Sequence, residues 1–498
     1  MLQENKWTHQ EKWVWEQLKA GEVAAFNTEP GYGGKLDPKN PQVWEGKGNR
    51  VLRPRFLKTI LLDEERRKIL MHKKVCIWGI RFTEYLDLSD AKLANFLALD
   101  NCRFEEDVSF SRLQTPNLIS LQGSTFAGTL NMNGLQVDGS LFMRGKATFN
   151  EVDLCGAKIG GQLDMDGSTF NGKLNMDSLQ VESDLFMSGK AKFNEVDLCG
   201  ARIGGQLSMN DSIFTGKLDM DSLRVEGHLF ISPAEFESSK PVNLVMAKIG
   251  GGLTLAGSKG LPSLDLTGAE IGGEFMLAKR DEYATWRDDA KLTLRNARVR
   301  AIQDCLEPKV WPSRLEREGF TYDWLGGFSA DNKNDMANRE VTWYLDWLKN
   351  KQETFSPQPY KQLADVLENH GHKDKADIIR YASKERELEL AKSWEKGWRF
   401  LQKIFIGYGY RYRFTLMWVL GLIFVGFIWL CASQSGPTDN YEKIIFCLDK
   451  FLPLVKFREE FDLPKLTFCI QLYFDFLQIM GYVLVSYLIA GLSGLTKK

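Results

Sequence analysis

The 498-residue sequence contains eight cysteines but no C-x-x-C pair, only five histidines, and no surplus charge, with 64 Lys and Arg against 65 Asp and Glu. Without paired cysteines there is no zinc ribbon and no thioredoxin-type centre. Nucleic acid as a partner requires a basic surface, yet residues 86–300 hold 22 Lys and Arg against 29 Asp and Glu, so none is expected. G-x-S-x-G, P-loop, H-E-x-x-H and a G-x-G-x-x-G following a strand are all missing. Catalysis therefore has no motif, and no cofactor and no metal site is expected. The first residues, MLQENKWTHQEKW, carry charges where a signal peptide needs an apolar run, which places the bulk of the chain in the cytoplasm.

What the chain has in abundance is repetition. The stretch from Gly128 to Asn171 is followed without a gap by a near copy from Gly172 to Thr215, a period of 44 that maps Cys155 onto Cys199. Apolar pairs recur inside each copy, as in Leu130/Met132, Leu135/Val137, Leu141/Met143 and Val152/Leu154, in steps of five or six residues. Four steps make 22, and Leu86, Val108, Leu130, Val152, Leu174, Val196 and Leu218 fall in one column. No helix has this period, and a chain that turns after every short strand closes a coil. The expectation is a mostly β chain whose residues 81–303 form a right-handed, four-sided β-solenoid of about ten coils, roughly 50 Å long at strand spacing.

The recurring AKIGGQL (Ala157–Leu163) places Ala and Ile inward and leaves the paired glycines to supply positive φ at a corner. Acidic residues in NEVDLCG and LDMDG read as solvated outer positions. Cys155 and Cys199 should lie two coils, about 10 Å, apart, beyond the roughly 7 Å limit of a disulfide. They are expected as buried core thiols in a reducing compartment.

Residues 1–80 read as a helical cap, with a helix over 8–19 started by Thr8 and Glu11 and ended by Gly21, and a second over Phe56–Met71. Residues 304–392 read as helical. VTWYLDWLKN forms one helix, and a following hairpin resembles a single tetratricopeptide-type unit, with Leu363, Ala364, Val366 and Leu367 on one helix and Ala376, Ile378, Ile379 and Ala382 on the next. His370 and His372 fit the turn between these helices better than a metal site.

Residues 393–498 form the anchor. Trp394, Trp398, Leu401 and Phe405 share a helical face with Arg399 and Lys403 alongside, the pattern of a helix on an anionic membrane surface. Phe414 to Ala432 is uncharged and long enough to span, and a second apolar stretch runs from Leu466 to Leu495. Basic residues before the first span and Lys497 and Lys498 after the second put both termini in the cytoplasm. Ile444–Val455 is too short to span and reads as interfacial or re-entrant.

Gln471, Asp475, Gln478, Tyr482 and Ser486 occupy offsets 0, 4, 7, 11 and 15, one side of the second span. Either Asp475 lines a pore or pairs with another helix, or it sits hydrated at the outer interface. Ala490, Gly491 and Gly494 are small enough for close helix contact, so an oligomer through the hairpin is an open alternative.

The chain resembles bacterial pentapeptide-repeat-like proteins, with the five-residue register loosened. It is more similar to a family of bacterial membrane proteins often labelled membrane-associated oxidoreductases, through VCIWGIRF, AKIGGQLDMDG, REGFTYDWL, FSPQPYKQLADVLENHGHKDKA, GYGYR, FCLDKFLPLV and VSYLIAGLSGL. The resemblance implies a cytoplasmic solenoid on a hairpin in the bacterial inner membrane, and the label implies a flavin or nicotinamide site that no residue here marks. The leading expectation is a membrane-anchored, non-enzymatic scaffold that touches lipid and binds a cytoplasmic protein. The alternatives are an oligomeric membrane effector or pore, and a redox enzyme.

Overall fold

A two-residue strand leaves its backbone N–H and C=O groups without partners in its own coil, so each coil of such a chain must stack on its neighbours to satisfy them. The computed structural model describes residues 6–306, 310–326, 336–350, 355–409, 412–433, 437–452, 457 and 467–492. It has two compact units, 1–362 and 363–498.

The first unit is a parallel β-solenoid of about 11 turns. Equivalent residues of successive coils pair in register, Val108 with Leu130, Leu130 with Val152, Val152 with Leu174. This is the 22-residue column of the sequence, and its members are buried. A middle coil carries four short strands, Thr125–Phe126, Leu130–Asn131, Gln136–Val137 and Leu141–Phe142. The ladder does not stop at residue 303. Arg314–Glu316 and Thr321–Leu325 pair onto Lys291–Thr293 and Arg298–Ile302 and add a further coil. The six-residue slip before Leu292 is an antiparallel hairpin, Ala278–Lys279 with Glu282–Tyr283, that leaves the coil path.

Three devices hold the coils. The first is a spine of Phe82, Phe104, Phe126, Phe149, Phe170, Phe193, Phe214 and Phe236, buried and stacked with centroids 4.3–5.6 Å apart. The second is a column of Asp and Asn, replaced by Ser109 in one coil, that turns one corner of the coil, because Oδ1 accepts the amide two residues on: Asp153 from Cys155 at 3.0 Å, Asp197 from Cys199 at 3.3 Å, Asp265 from Thr267 at 2.9 Å. The acidic residues of NEVDLCG thus do more than face solvent. The third follows at once, a left-handed residue in every coil: Asp90, Arg112, Gly134, Gly156, Ser178, Gly200, Ser222, Met246, Gly268, Asn296 and Gly319, with φ between 53° and 73°.

The paired glycines of AKIGGQL have no positive φ. They are needed for space instead. A Cβ on Gly160 would lie 2.4 Å from the Asp138 carbonyl oxygen, and one on Gly204 would lie 2.2 Å from that of Glu182. Cys155 and Cys199 are half-exposed rather than buried, because they point outward one residue after the inward Leu154 and Leu198. All eight cysteines are free.

The cap begins with α1 (His9–Ala20), whose Thr8 and Glu11 form the expected capping box and whose C-terminus ends on a left-handed Gly21. The expected second helix is two, α2 (Pro54–Leu62) and α3 (Glu64–Ile69), because Asp63 turns extended and caps α3 through the Arg66 amide. Arg50, fully buried, holds the loops of the cap by donating to the carbonyls of Phe26, Tyr32, Gly34 and Gly79. Beyond the rod, α4 (Val341–Asn350) matches its expected span. Arg317 stacks on Trp347 at 4.4 Å and donates to the Leu348 carbonyl in the last turn of α4. Burial pushes its pKa down to about 10.

The second unit begins within α5 (Gln358–Asn369), which makes the expected hairpin with α6 (Lys373–Leu390), turned by a left-handed Gly371. Leu363, Ala364, Val366 and Leu367 are buried as expected, with Ala376 and Ile379 facing them, while Ile378 is 41% exposed. Arg380 joins the helices by ion pairs to Asp365 at 2.8 Å and Glu368 at 2.6 Å. Then follow α7 (Ser393–Ile406), α8 (Tyr412–Ser433), α9 (Asn440–Phe451) and α10 (Phe468–Leu492).

Candidate functional site

Two helices, Phe414–Ser433 and Phe468–Ser486, are long and apolar enough to cross a membrane, and only 17% and 28% of the residues in their 18-residue apolar stretches are buried within the protein. Leu416, Met417, Leu420 and Phe424 of α8 and Leu472, Phe476, Ile479 and Val483 of α10 are exposed. An apolar surface this continuous marks a membrane or protein contact.

The inner faces form a three-helix core. Leu430, Phe446, Cys447, Phe451, Ile470, Phe474, Leu477 and Leu484 are buried together. Gly426 of α8 admits Cys447, Tyr473 and Phe474, and the Tyr473 hydroxyl donates to the Leu422 carbonyl at 2.6 Å. Of the segment read as interfacial or re-entrant, residues 453–455 lie outside the described residues and 444–451 belong to α9, which packs against both long helices. Near its start, Lys443 approaches Cys431 of α8. Its last residue, Phe451, places a carbonyl where a Cβ on Gly481 would be, in the middle of α10.

Gln471, Asp475, Gln478, Tyr482 and Ser486 do fall on one side of α10, and all five are exposed. None makes a side-chain hydrogen bond among the described residues. Ala490 and Gly491 lie in the last turn of α10 with their surroundings outside what is described, and Gly494 lies outside the described residues altogether.

On α7, Trp394 is 76% exposed, and the Trp398 side chain lies outside the described residues. Arg399 and Lys403 are not free cations: Arg399 pairs with Glu387 and Lys403 with Glu385 of α6, the latter at 2.7 Å. The acidic side of α6, which faces them across the α6–α7 turn, compensates the charge expected to meet lipid.

Sequence reasoning passed over one rod surface. The outward residues before each core Ile or Val stack as Lys158, Gln180, Arg202, Arg224 and Lys248. Beside them run Gly160, Glu182, Gly204, Glu226 and Gly250, and the missing side chains open grooves of about 310 and 380 Å³ that share Arg224 and Glu226. Arg202 and Arg224 are exposed and form no ion pair among the described residues, whereas Lys248 meets Glu270 at 3.2 Å. A count at 22-residue spacing would have found this column.

Among the described residues no cluster of three His, Cys, Asp or Glu could hold a metal ion. The half-exposed Cys199 thiol is pushed up to about 12 by burial and by the neighbouring carboxylates of Asp197 and Asp219, so it is a poor nucleophile. No protein-family model, curated protein or solved structure matches the chain.

Proposed function

We propose that the protein is a membrane-anchored cytoplasmic scaffold without catalytic activity. The α8–α10 hairpin holds it in the bacterial inner membrane as a two-span protein with both termini inside, and the four-sided, right-handed rod presents one face to a cytoplasmic protein. The observation that carries this reading is the exposed Arg202–Arg224–Lys248 column beside its glycine-floored groove, a long regular surface on which Arg202 and Arg224 form no ion pair among the described residues. Such a surface suits an acidic, extended segment of a protein partner. Lipid contact is supported by Trp394 and by an apolar groove of about 620 Å³ between α8 and α9, lined by Leu420, Phe424, Phe427 and Ile444.

The test is capture of partners by the full chain from solubilised membranes, beside the double variant Arg202→Glu/Arg224→Glu. One protein retained in stoichiometric amount by the wild type and lost from the variant supports the reading; no such protein, or the same set on both, overturns it.

A second reading, an oligomeric membrane effector, is favoured by the exposed polar face of α10. Overexpression should then depolarise cells, and Asp475→Asn should change the effect. An unchanged membrane potential sinks it.

A further inference from the structure

The residues that α10 turns toward α8 and α9 are apolar or small: Ile470, Phe474, Leu477, Gly481 and Leu484. Its polar stripe lies about 100° further round, directed at neither helix. Within a bilayer this side would set a carboxylate, two amides and two hydroxyls against hydrocarbon, where unsatisfied polar groups are strongly disfavoured. The hairpin's own helices do not cover it.

We propose that the stripe is the contact between two copies of the chain, α10 packed against α10 in parallel. Two copies inserted in one membrane share an orientation, so their stripes lie at the same depth with no search of register. The chemistry is also self-complementary. Gln471 and Gln478 each donate and accept, and Tyr482 and Ser486 donate hydroxyl hydrogens. In a parallel pair a residue meets the second copy's residues three and four positions away. Each Asp475 therefore lies between the second copy's Gln471 and Gln478, whose amide N–H groups its carboxylate accepts. The two carboxylates also approach each other across the pair, an unfavourable element that an amide in the same place removes. The inference rests on α8 and α10 spanning a membrane and is independent of what the rod binds.

The test uses the full chain in lipid nanodiscs, with mild oxidation of single substitutions. Gln478→Cys sits on the stripe and Phe476→Cys on the far side, where the native Cys469 also lies. Gln478→Cys should form covalent dimers, and Phe476→Cys and the wild type should not. Asp475→Asn should keep or strengthen the dimer. Asp475→Leu with Gln478→Leu should weaken it roughly tenfold, the worth of one or two interhelical hydrogen bonds. A native mass of one chain, equal cross-linking at both positions, or an undiminished dimer in the double leucine variant overturns the proposal. Ion flux into liposomes is measured separately: a dimer without flux removes the effector reading and leaves the interface standing.

Discussion

Removing one ring from the middle of the phenylalanine spine should damage the rod locally and by a computable amount. Phe149 is fully buried, with the Phe126 ring 5.2 Å away on one side and Phe170 4.9 Å away on the other. Both neighbours are fixed by their own ladders, Phe126 to Phe104 and Phe170 to Phe193, so neither can collapse into the space. Phe149→Ala should cost about 3–5 kcal/mol. Two stacked contacts, about 0.5–1.5 kcal/mol each, are part of that sum. Phe236 ends the spine with one ring neighbour, Phe214 at 5.2 Å, so Phe236→Ala should cost less by about one such contact. Because each coil touches only adjacent coils, the loss should stay near the lesion. Native-state hydrogen exchange on the full chain in detergent reads this directly. The amides of Ala127 and Gly172, which bond across coils to the carbonyls of Phe104 and Asn150, should lose most protection, and that of Leu266 little. A loss below about 1 kcal/mol at Ala127 and Gly172, or an equal loss along the whole rod, would refute the spine as the element holding the coils together.

Gly204→Ala should destabilise by about 1–3 kcal/mol, since its Cβ would lie 2.2 Å from a backbone oxygen, while Gly156→Ala, with open space but φ of 63°, should cost about 1 kcal/mol; denaturation midpoints check both. In Gly481→Val the added side chain displaces the end of α9, and the buried Cys447 should become open to maleimide labelling; unchanged labelling would mean α9 docks elsewhere. Cys199, half-exposed, should alkylate far more slowly at pH 8 than a free thiol of ordinary pKa about 8.5, and Asp197→Asn should speed it. Burial works against the Glu11 carboxylate, but hydrogen bonds from Arg53 and the Thr8 amide outweigh it and hold the pKa below the usual glutamate value. Its contribution is therefore present above the unfolded pKa and lost as pH falls through the folded one. Glu11→Gln should destabilise the cap at pH 7, and the difference should vanish in acid, as the pH dependence of unfolding will show.

The coil was legible because its period is written in the inward Leu and Val column, whose steps are 22 over seven coils. The phenylalanine spine escaped the same count, since its steps slip to 23 and 21 around Phe149, Phe170 and Phe193 while the corners absorb the difference. Cys155 and Cys199 were misplaced by hydrophobicity alone; strict alternation from the inward Leu154 would have put Cys155 outside. The polar stripe of α10 was legible as a helical period, but its lack of any partner was not, because that depends on which side meets α8 and α9. Arg399 and Lys403 looked free for the same reason: the turn that brings Glu387 and Glu385 beside them is not a pattern in the sequence.

The left-handed corner recurs with glycine, serine, aspartate, arginine, asparagine or methionine in the same place, so the ladder does not require glycine there. Each coil offers the same set of donors upward that it accepts from below. A copied pair of coils, such as Gly128–Asn171, can therefore be spliced in or taken out while both ends stay the same. One such event changes the rod's reach by roughly 10 Å. The number of coils alone therefore sets the length of the solenoid, and duplication changes it in steps of two.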